Sequence, residues 1–314
     1  MAELVAAVPS LLAADQADQH YADAVQTAVA ACAEDTEGQT CFICMDGAAE
    51  EGLVRGCACR AAGFVHVSCL ARQAQVAVER DDGGPGFARW HTCGLCEQRY
   101  HGVVQCALGW ACWKTYLGRP ETNWLRMSAM RLLGNSLYTA KIYEESVSVQ
   151  EAELSLGRRL GVSERSILVT LSNLAGCYTK LRRHHDCCRI MREVYSTRTK
   201  LLGPSDLETI SAAYNLAIVL RNLQRYKEVR SLLRENLPNA RARGDLYDSM
   251  RFLYVNSFVE DEAESSADDL REAVATITSI EAKYRQVLGK AHPQTRNARI
   301  ALERAQRALD AHTL

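Results

Sequence analysis

The stretch CFICMDGAAEEGLVRGCACRAAGFVHVSCLARQAQVAVERDDGGPGFARWHTCGLC, residues 41–96, decides how the rest of the chain is read. It holds eight candidate metal ligands: Cys41, Cys44, Cys57, Cys59, His66, Cys69, Cys93 and Cys96. They fall into close pairs. Seven thiols and one imidazole complete two tetrahedral sites, the donor set expected for two Zn2+ ions. A C-x2-C pair suits zinc because its tight turn sets both thiolates ~2.3 Å from one ion.

Two pairings are open. If the pairs alternate, Cys41, Cys44, His66 and Cys69 hold one ion, and Cys57, Cys59, Cys93 and Cys96 hold the other. Sequential pairing would give two separate fingers. The alternating scheme is preferred because Cys57 and Cys59 stand too close together for the usual sequential finger spacing. It ties distant segments together, so that a short stretch with little core can fold around metal. Each structural zinc supplies an apparent ~10–16 kcal/mol at neutral pH, more than a small apolar core offers.

Outside this stretch the composition is that of an ordinary globular chain: 314 residues, of which 47% are hydrophobic and 24% charged, enough for two domains. Of the thirteen cysteines, the six outside the paired pattern (Cys32, Cys106, Cys112, Cys177, Cys187 and Cys188) sit in helix-like sequence. That distribution argues for metal ligands in a reducing compartment rather than a secreted disulfide framework. The longest apolar run, Val103 to Trp113, is too short to span a bilayer. The N-terminus has no basic region before its apolar part, so it makes a poor secretory signal. A cytoplasmic or nuclear location is expected, with no direct membrane span and no nucleic-acid partner.

Residues 1–54 carry ten acidic side chains and neither Lys nor Arg, which leaves the remainder with a surplus of nine positive charges. The reading adopted is a solvated helical surface behind an acidic tail; a basic surface for acidic peptides is the other. Residues 1–38 form an acidic extension. Leu4, Val5, Val8, Leu11 and Leu12, and then Tyr21, Val25 and Val29, fall near helical spacing, with Pro9 interrupting the first set. One or two short helices are expected, followed by a linker over Glu34 to Gly38.

Residues 39–101 resemble the RING-CH (RING-variant) zinc fingers. The likeness rests on C-F-I-C, on C-A-C with one residue between the thiols, on G-F-V-H-V-S-C-L and on C-G-L-C-E-Q-R-Y. It implies a cross-braced two-zinc fold and ubiquitin ligase activity, in which the module binds a charged ubiquitin-conjugating enzyme and catalysis is positional. By the same resemblance Ile43, Leu70 and Leu95 would contact that enzyme. Three positions depart from the common pattern: Gln73 where many members carry Trp, Gly94 where many carry Pro, and Glu97 where a cation is frequent. A central helix is expected over Leu70 to Arg80, then a flexible loop from Asp81 to Gly86. His91 and His101 read as surface histidines. A PHD finger shares the ligand order, but C-x-C and the position of Trp90 favour RING-CH.

Residues 102–314 show a repeat. Leu117-Gly118, Leu160-Gly161, Leu202-Gly203, Arg243-Gly244 and Leu288-Gly289 recur at intervals of 43, 42, 41 and 45. Each unit would be two helices closed by a glycine at the C′ position, where the backbone takes positive φ. In one such helix Leu168, Leu171, Leu174, Ala175 and Tyr178 form an apolar stripe. No single pair can bury its stripe, so the pairs stack. The region is similar to a tetratricopeptide array of the long-period, kinesin-light-chain kind, through L-G-P-S-D-L-E-T, Y-N-L-A, R-Y-K-E-V and L-G-K-A-H-P-Q-T. That resemblance implies a groove for a protein or peptide ligand, with Asn173 and Asn215 offering amides and Lys180, Arg182 and Arg221 pairing acidic side chains. The acidic run Glu260 to Asp269 is expected as a solvated loop. Trp110, Trp113 and Trp124 are expected to seal the first repeat against the zinc module.

The fold class expected is mainly α: a small cross-braced module followed by an α-solenoid. The function expected is that of a soluble RING-CH-type ubiquitin ligase, a transferase with no catalytic side chain of its own. The alternatives are a zinc-stapled adaptor and, more distantly, a PHD-like peptide reader.

Overall fold

The computed structural model describes residues 10–47, 51–57, 59, 63–81, 85–244 and 246–313. The expectations for Leu4, Val5, Val8 and Pro9, and for residues 82–84, lie outside these. The protein is mainly α. Its helices are α1 (Ala14–Thr36), α2 (Val67–Arg80), α3 (Gly102–Tyr116), α4 (Trp124–Thr139), α5 (Tyr143–Arg159) and α6 (Glu164–Lys180). They continue as α7 (His184–Leu202), α8 (Leu207–Asn222), α9 (Tyr226–Arg243), α10 (Tyr247–Glu260), α11 (Ala267–Leu288) and α12 (Pro293–Thr313). Among the described residues the β pairing consists of two isolated antiparallel bridges, Val54 with Val65 and Thr92 with Arg99.

The chain gathers into two compact units, residues 1–182 and 183–314. In the first, α3 is the axis. Its sequence is apolar on every face, and it buries residues all round, from Val104 to Tyr116. A helix of that kind needs cover on all sides, and α1, α2 and α4 supply it. Instead of one or two short N-terminal helices there is one of 23 residues, α1, which lays Ala17, Val25, Ala28 and Cys32 inward and runs on into the stretch expected as a linker. Val25, Ala28 and Cys32 share one apolar cluster with Leu53, Val65 and Leu70 of the cysteine-rich stretch and with Val104 and Leu108 of α3. The cysteine-rich stretch is therefore packed into the first unit rather than set apart from residues 102–182. No helix among the described residues is long and apolar enough to cross a membrane.

Pro85 and Gly86, expected in a flexible loop, are helical instead. A 3-10 helix covers Pro85–Trp90, and the Gly86 N–H donates to Asp81 Oδ2 at 2.8 Å. A Cβ at Gly86 would stand 2.4 Å from the Ala77 carbonyl oxygen, so only glycine lets this turn lie against α2. The turn carries the aromatic wedge. The Trp90 ring meets Tyr116 edge-on at 5.9 Å, and the Phe87 ring lies 6.0 Å from Trp124. Trp110 and Trp113 are buried, and Trp110 stacks on His20 of α1 at 4.6 Å. Trp124 stays largely exposed. Trp110 and Trp113 share one apolar cluster with Ala74 and Trp90 of the cysteine-rich stretch and with Leu125 and Leu133 of α4, so two of the three tryptophans make the expected seal, and Phe87 and Trp90 add to it.

The repeated glycines end helices as expected in four cases out of five. Gly161, Gly203, Gly244 and Gly289 take φ of 64°, 84°, 88° and 87°, whereas Gly118 does not enter that region. The alternate turns contain Lys141, Arg182 and Gln224, which take φ of 67°, 56° and 57° without being glycine. Two of these turns close with the same long bond, Ile142 N–H to Leu137 O and Arg225 N–H to Leu220 O, both 2.9 Å. Such bonds satisfy carbonyls that a helix end leaves open. In the first unit α4, α5 and α6 pack in sequence and α4 also touches α6. In the second, α7 to α12 pack in sequence, with α8 touching α10 and α10 touching α12. That neighbour-and-next-neighbour pattern is a stack of helix pairs. The stripe read in α6 is buried at Leu168, Leu171, Leu174, Ala175 and Tyr178.

The acidic run after α10 is not simply solvated. Arg221 forks onto Glu260, with Nε 2.7 Å from Oε2, and Arg230 pairs with Asp261 at 2.7 Å. Ser266 and Asp269 then form a reciprocal capping box that starts α11.

Candidate metal centres

Two local turns build the site, and they are near copies. In the first, Cys41 N–H donates to Asp46 O at 2.8 Å, Met45 N–H to Cys41 O at 2.9 Å, and Ile43 N–H to Cys41 Sγ at 3.4 Å. In the second, Cys93 N–H donates to Gln98 O at 2.9 Å, Glu97 N–H to Cys93 O at 3.1 Å, and Leu95 N–H to Cys93 Sγ at 3.4 Å. Met45 and Glu97 hold equivalent left-handed positions, φ 68° and 57°. Each knuckle thus aims a backbone N–H at its leading sulfur, which spreads charge on a thiolate.

The structure groups the ligands in the alternating way. Cys41, Cys44, His66 and Cys69 have donor atoms all within 4.8 Å of one another, as do Cys57, Cys59, Cys93 and Cys96. His66 Nδ1 lies 3.4 Å from Cys44 Sγ and 3.8 Å from Cys69 Sγ, and Cys59 Sγ lies 3.8 Å from Cys93 Sγ. The edge of a tetrahedron with metal–sulfur bonds of ~2.3 Å is about 3.8 Å. A disulfide would need ~2.05 Å, and none of these seven cysteines is in a disulfide. The spacing therefore fits one metal ion per group.

The imidazole is prepared for that role. His66 Nε2 lies 3.0 Å from the Gly47 carbonyl. A proton on Nε2 donates there and leaves the Nδ1 lone pair toward the thiols, the usual way a carbonyl orients a metal-binding histidine. The thiols are electrostatically crowded. Burial raises Cys41 and Cys93, but the backbone N–H bonds outweigh it and bring each to about 7. Burial and neighbouring thiols push Cys69 up to about 12 and raise Cys59 strongly. Such a set repels itself when ionised, and a divalent cation removes that repulsion.

Between the knuckles lies a groove of about 520 Å³ lined by Ile43, Gly94 and one face of α2, including Arg72, Gln73, Val76 and Arg80. Ile43 is 37% exposed and Leu95 55%. Leu70 is only 2% exposed and belongs to the apolar cluster beneath. It supports the knuckles from inside and offers no contact surface, which corrects the expectation that it touches a partner. Arg72, Val76 and Arg80 line the groove without belonging to a sequence motif. They recur every four residues along α2, on the side away from the inward-facing Leu70, and that helical spacing is the signal by which the sequence marks them.

The repeats supply a second kind of candidate. Residues 166–242 match the tetratricopeptide repeat family. The tetratricopeptide segment runs from α6 into α9. No curated protein matches the chain. Among solved structures, two Podosopora anserina chains described as nearly identical TPR-like repeats align at 16% identity. They cover 60% and 62% of this chain and 88% and 90% of their own, with TM-scores of 0.49 and 0.48. BtubC (BKLC) from P. vanneervenii aligns at 12% identity over 79% of this chain and 91% of its own, with a TM-score of 0.41.

Of the tetratricopeptide residues expected in a peptide groove, Asn215, Lys180 and Arg182 are exposed and Asn173 is half-buried. Arg221 is not available: its guanidinium is engaged by Glu260. His101 is exposed. His91 is not a plain surface histidine, because its Nδ1 is buried without a hydrogen-bond partner.

Proposed function

We propose that each ligand group holds a Zn2+ ion and that the module is a RING-CH-type platform for a ubiquitin-conjugating enzyme. The ions would supply no chemistry beyond clamping the two knuckles at a set spacing. Ile43 and Leu95 occupy equivalent knuckle positions, and Ile43 lines the α2 groove. That observation carries the reading. A module of this kind accelerates transfer by holding the partner's thioester in a reactive geometry, so it needs a rigid surface and no nucleophile. The tetratricopeptide helices would bind the protein to be modified, with Asn173, Asn215, Lys180 and Arg182 as the polar contacts.

A second reading has its own observations. Gln73, in the groove, stands where Trp is frequent in the family resembled, and Glu97 stands where a cation is frequent. Both favour an adaptor in which metal is a staple only. Autoubiquitination with a panel of conjugating enzymes separates the two. The platform reading predicts chains with at least one enzyme, slowed about tenfold or more by Ile43→Ala with metal content unchanged. No chains with any enzyme would leave the adaptor.

A further inference from the structure

A second cavity, of about 270 Å³, lies inside the first unit between the segment that carries the second knuckle and the exposed side of α4. Phe87 and His91 come from the 3-10 turn and the residue after it, Arg99 from the strand-like bridge, Gln105 from α3, and Arg131 and Asn135 from α4. Its polar lining is one-sided. Arg99 and Arg131 bring guanidinium groups, Asn135 and Gln105 bring amides, and no Asp or Glu is among the described lining residues. Glu153, which is not among the lining residues, accepts from Arg131 Nε at 2.6 Å and fixes the arginine.

Gln105 is the decisive residue. It is 5% exposed, yet its Nε2 has no hydrogen-bond partner. A buried amide N–H left unmade costs ~1–3 kcal/mol, so a group this placed is normally satisfied by something. His91 Nδ1, also in the lining, is buried and unpartnered as well. An unmet amide donor beside two arginines selects an anion. The Phe87 ring and the apolar side of α4 select one attached to carbon rather than a bare inorganic ion. The volume falls just below the ~300–1,000 Å³ of drug-sized ligand sites, room for a residue or two and not for a folded surface.

We infer that this cavity binds the carboxylate of a peptide: an acidic or terminal residue, with its apolar neighbour against Phe87. The inference rests on reading the helical unit as a protein-binding element and not on ligase activity. It also moves the recognised point away from Asn173 and Asn215, to the junction of the metal-binding stretch and the first helix pair.

The test uses the full-length, metal-loaded protein titrated with N-acetyl-leucyl-aspartate and followed through the side-chain amide resonances of Gln105 and Asn135. Saturable shifts are expected, with binding weakened at least about tenfold by the exposed-site change Arg99→Glu and by Gln105→Leu. Capping both carboxylates as amides is expected to abolish the shifts. Unmoved Gln105 resonances, equal binding by the amide-capped probe, equal binding by Arg99→Glu protein, or tighter binding of inorganic phosphate would each overturn the inference. No conjugating enzyme enters the assay, so its failure is distinct from failure of ubiquitin transfer.

Discussion

Glu153 shows how its surroundings set what a single side chain does. It sits mid-helix in α5 with a side chain 1% exposed, accepts from Arg131 Nε and Thr170 Oγ1, and leaves Oε2 unbonded. Burial raises its pKa, and the Arg131 charge only partly offsets that. A carboxyl whose folded pKa is raised contributes most to stability below its unfolded value and loses that contribution as pH rises through the folded one. Glu153→Gln removes the titration. The variant is therefore expected to gain stability relative to the natural chain as pH rises from the ordinary carboxylate range toward neutrality, in paired thermal-unfolding series. A constant difference across that range would contradict the assignment. The same dependence on surroundings explains which residues were readable. The eight ligands declare themselves, because thiol and imidazole at turn spacing have few other uses. Leu70, Arg221 and His91 do not. Whether a leucine faces out, or an arginine is already taken by Glu260, depends on helices far away in sequence.

At the scale of elements, the packing of α3 on α4 is a close approach that glycine permits. A Cβ at Gly109 would stand 2.0 Å from Ser136 Oγ and 2.9 Å from its Cβ, and Ser136 is fully buried. Gly109→Ala is expected to cost about 1–3 kcal/mol through overpacking, although alanine is the better helix former by ~1 kcal/mol. Adding Ser136→Gly should restore part of the loss; an unchanged or raised midpoint for the single variant would show that the helices yield. The helix pairs themselves were readable because glycine marks one turn of each repeat. The other turn was not, because Lys141, Arg182 and Gln224 adopt left-handed φ without a residue type that announces it. The 23 residues of α1 read as fragments for a related reason: its buried stripe, Ala17, Val25, Ala28, Cys32 and Thr36, is made of small side chains that give a weak apolar signal. The apolar run of α3 is plain in the sequence, but nothing local says which three helices wrap it.

For the whole molecule, the arrangement rests on two clamps that join residues far apart in the chain. Cys41 and Cys44 meet His66 and Cys69, and Cys57 and Cys59 meet Cys93 and Cys96, so each ion would close loops interleaved with the other's. The apolar cluster around Leu53, Val65 and Leu70 continues into α1 and α3, which makes the metal-binding stretch part of the first helical unit and would transmit the knuckles' geometry into it. Zinc-edge X-ray absorption of the purified protein tests this most directly. One group of three thiolates with an imidazole and one group of four thiolates average to 3.5 sulfur and 0.5 nitrogen neighbours per ion, with sulfur at ~2.3 Å and nitrogen at ~2.0–2.1 Å. That shell is the result expected. A shell dominated by nitrogen or oxygen, or a protein that holds no zinc, would contradict it.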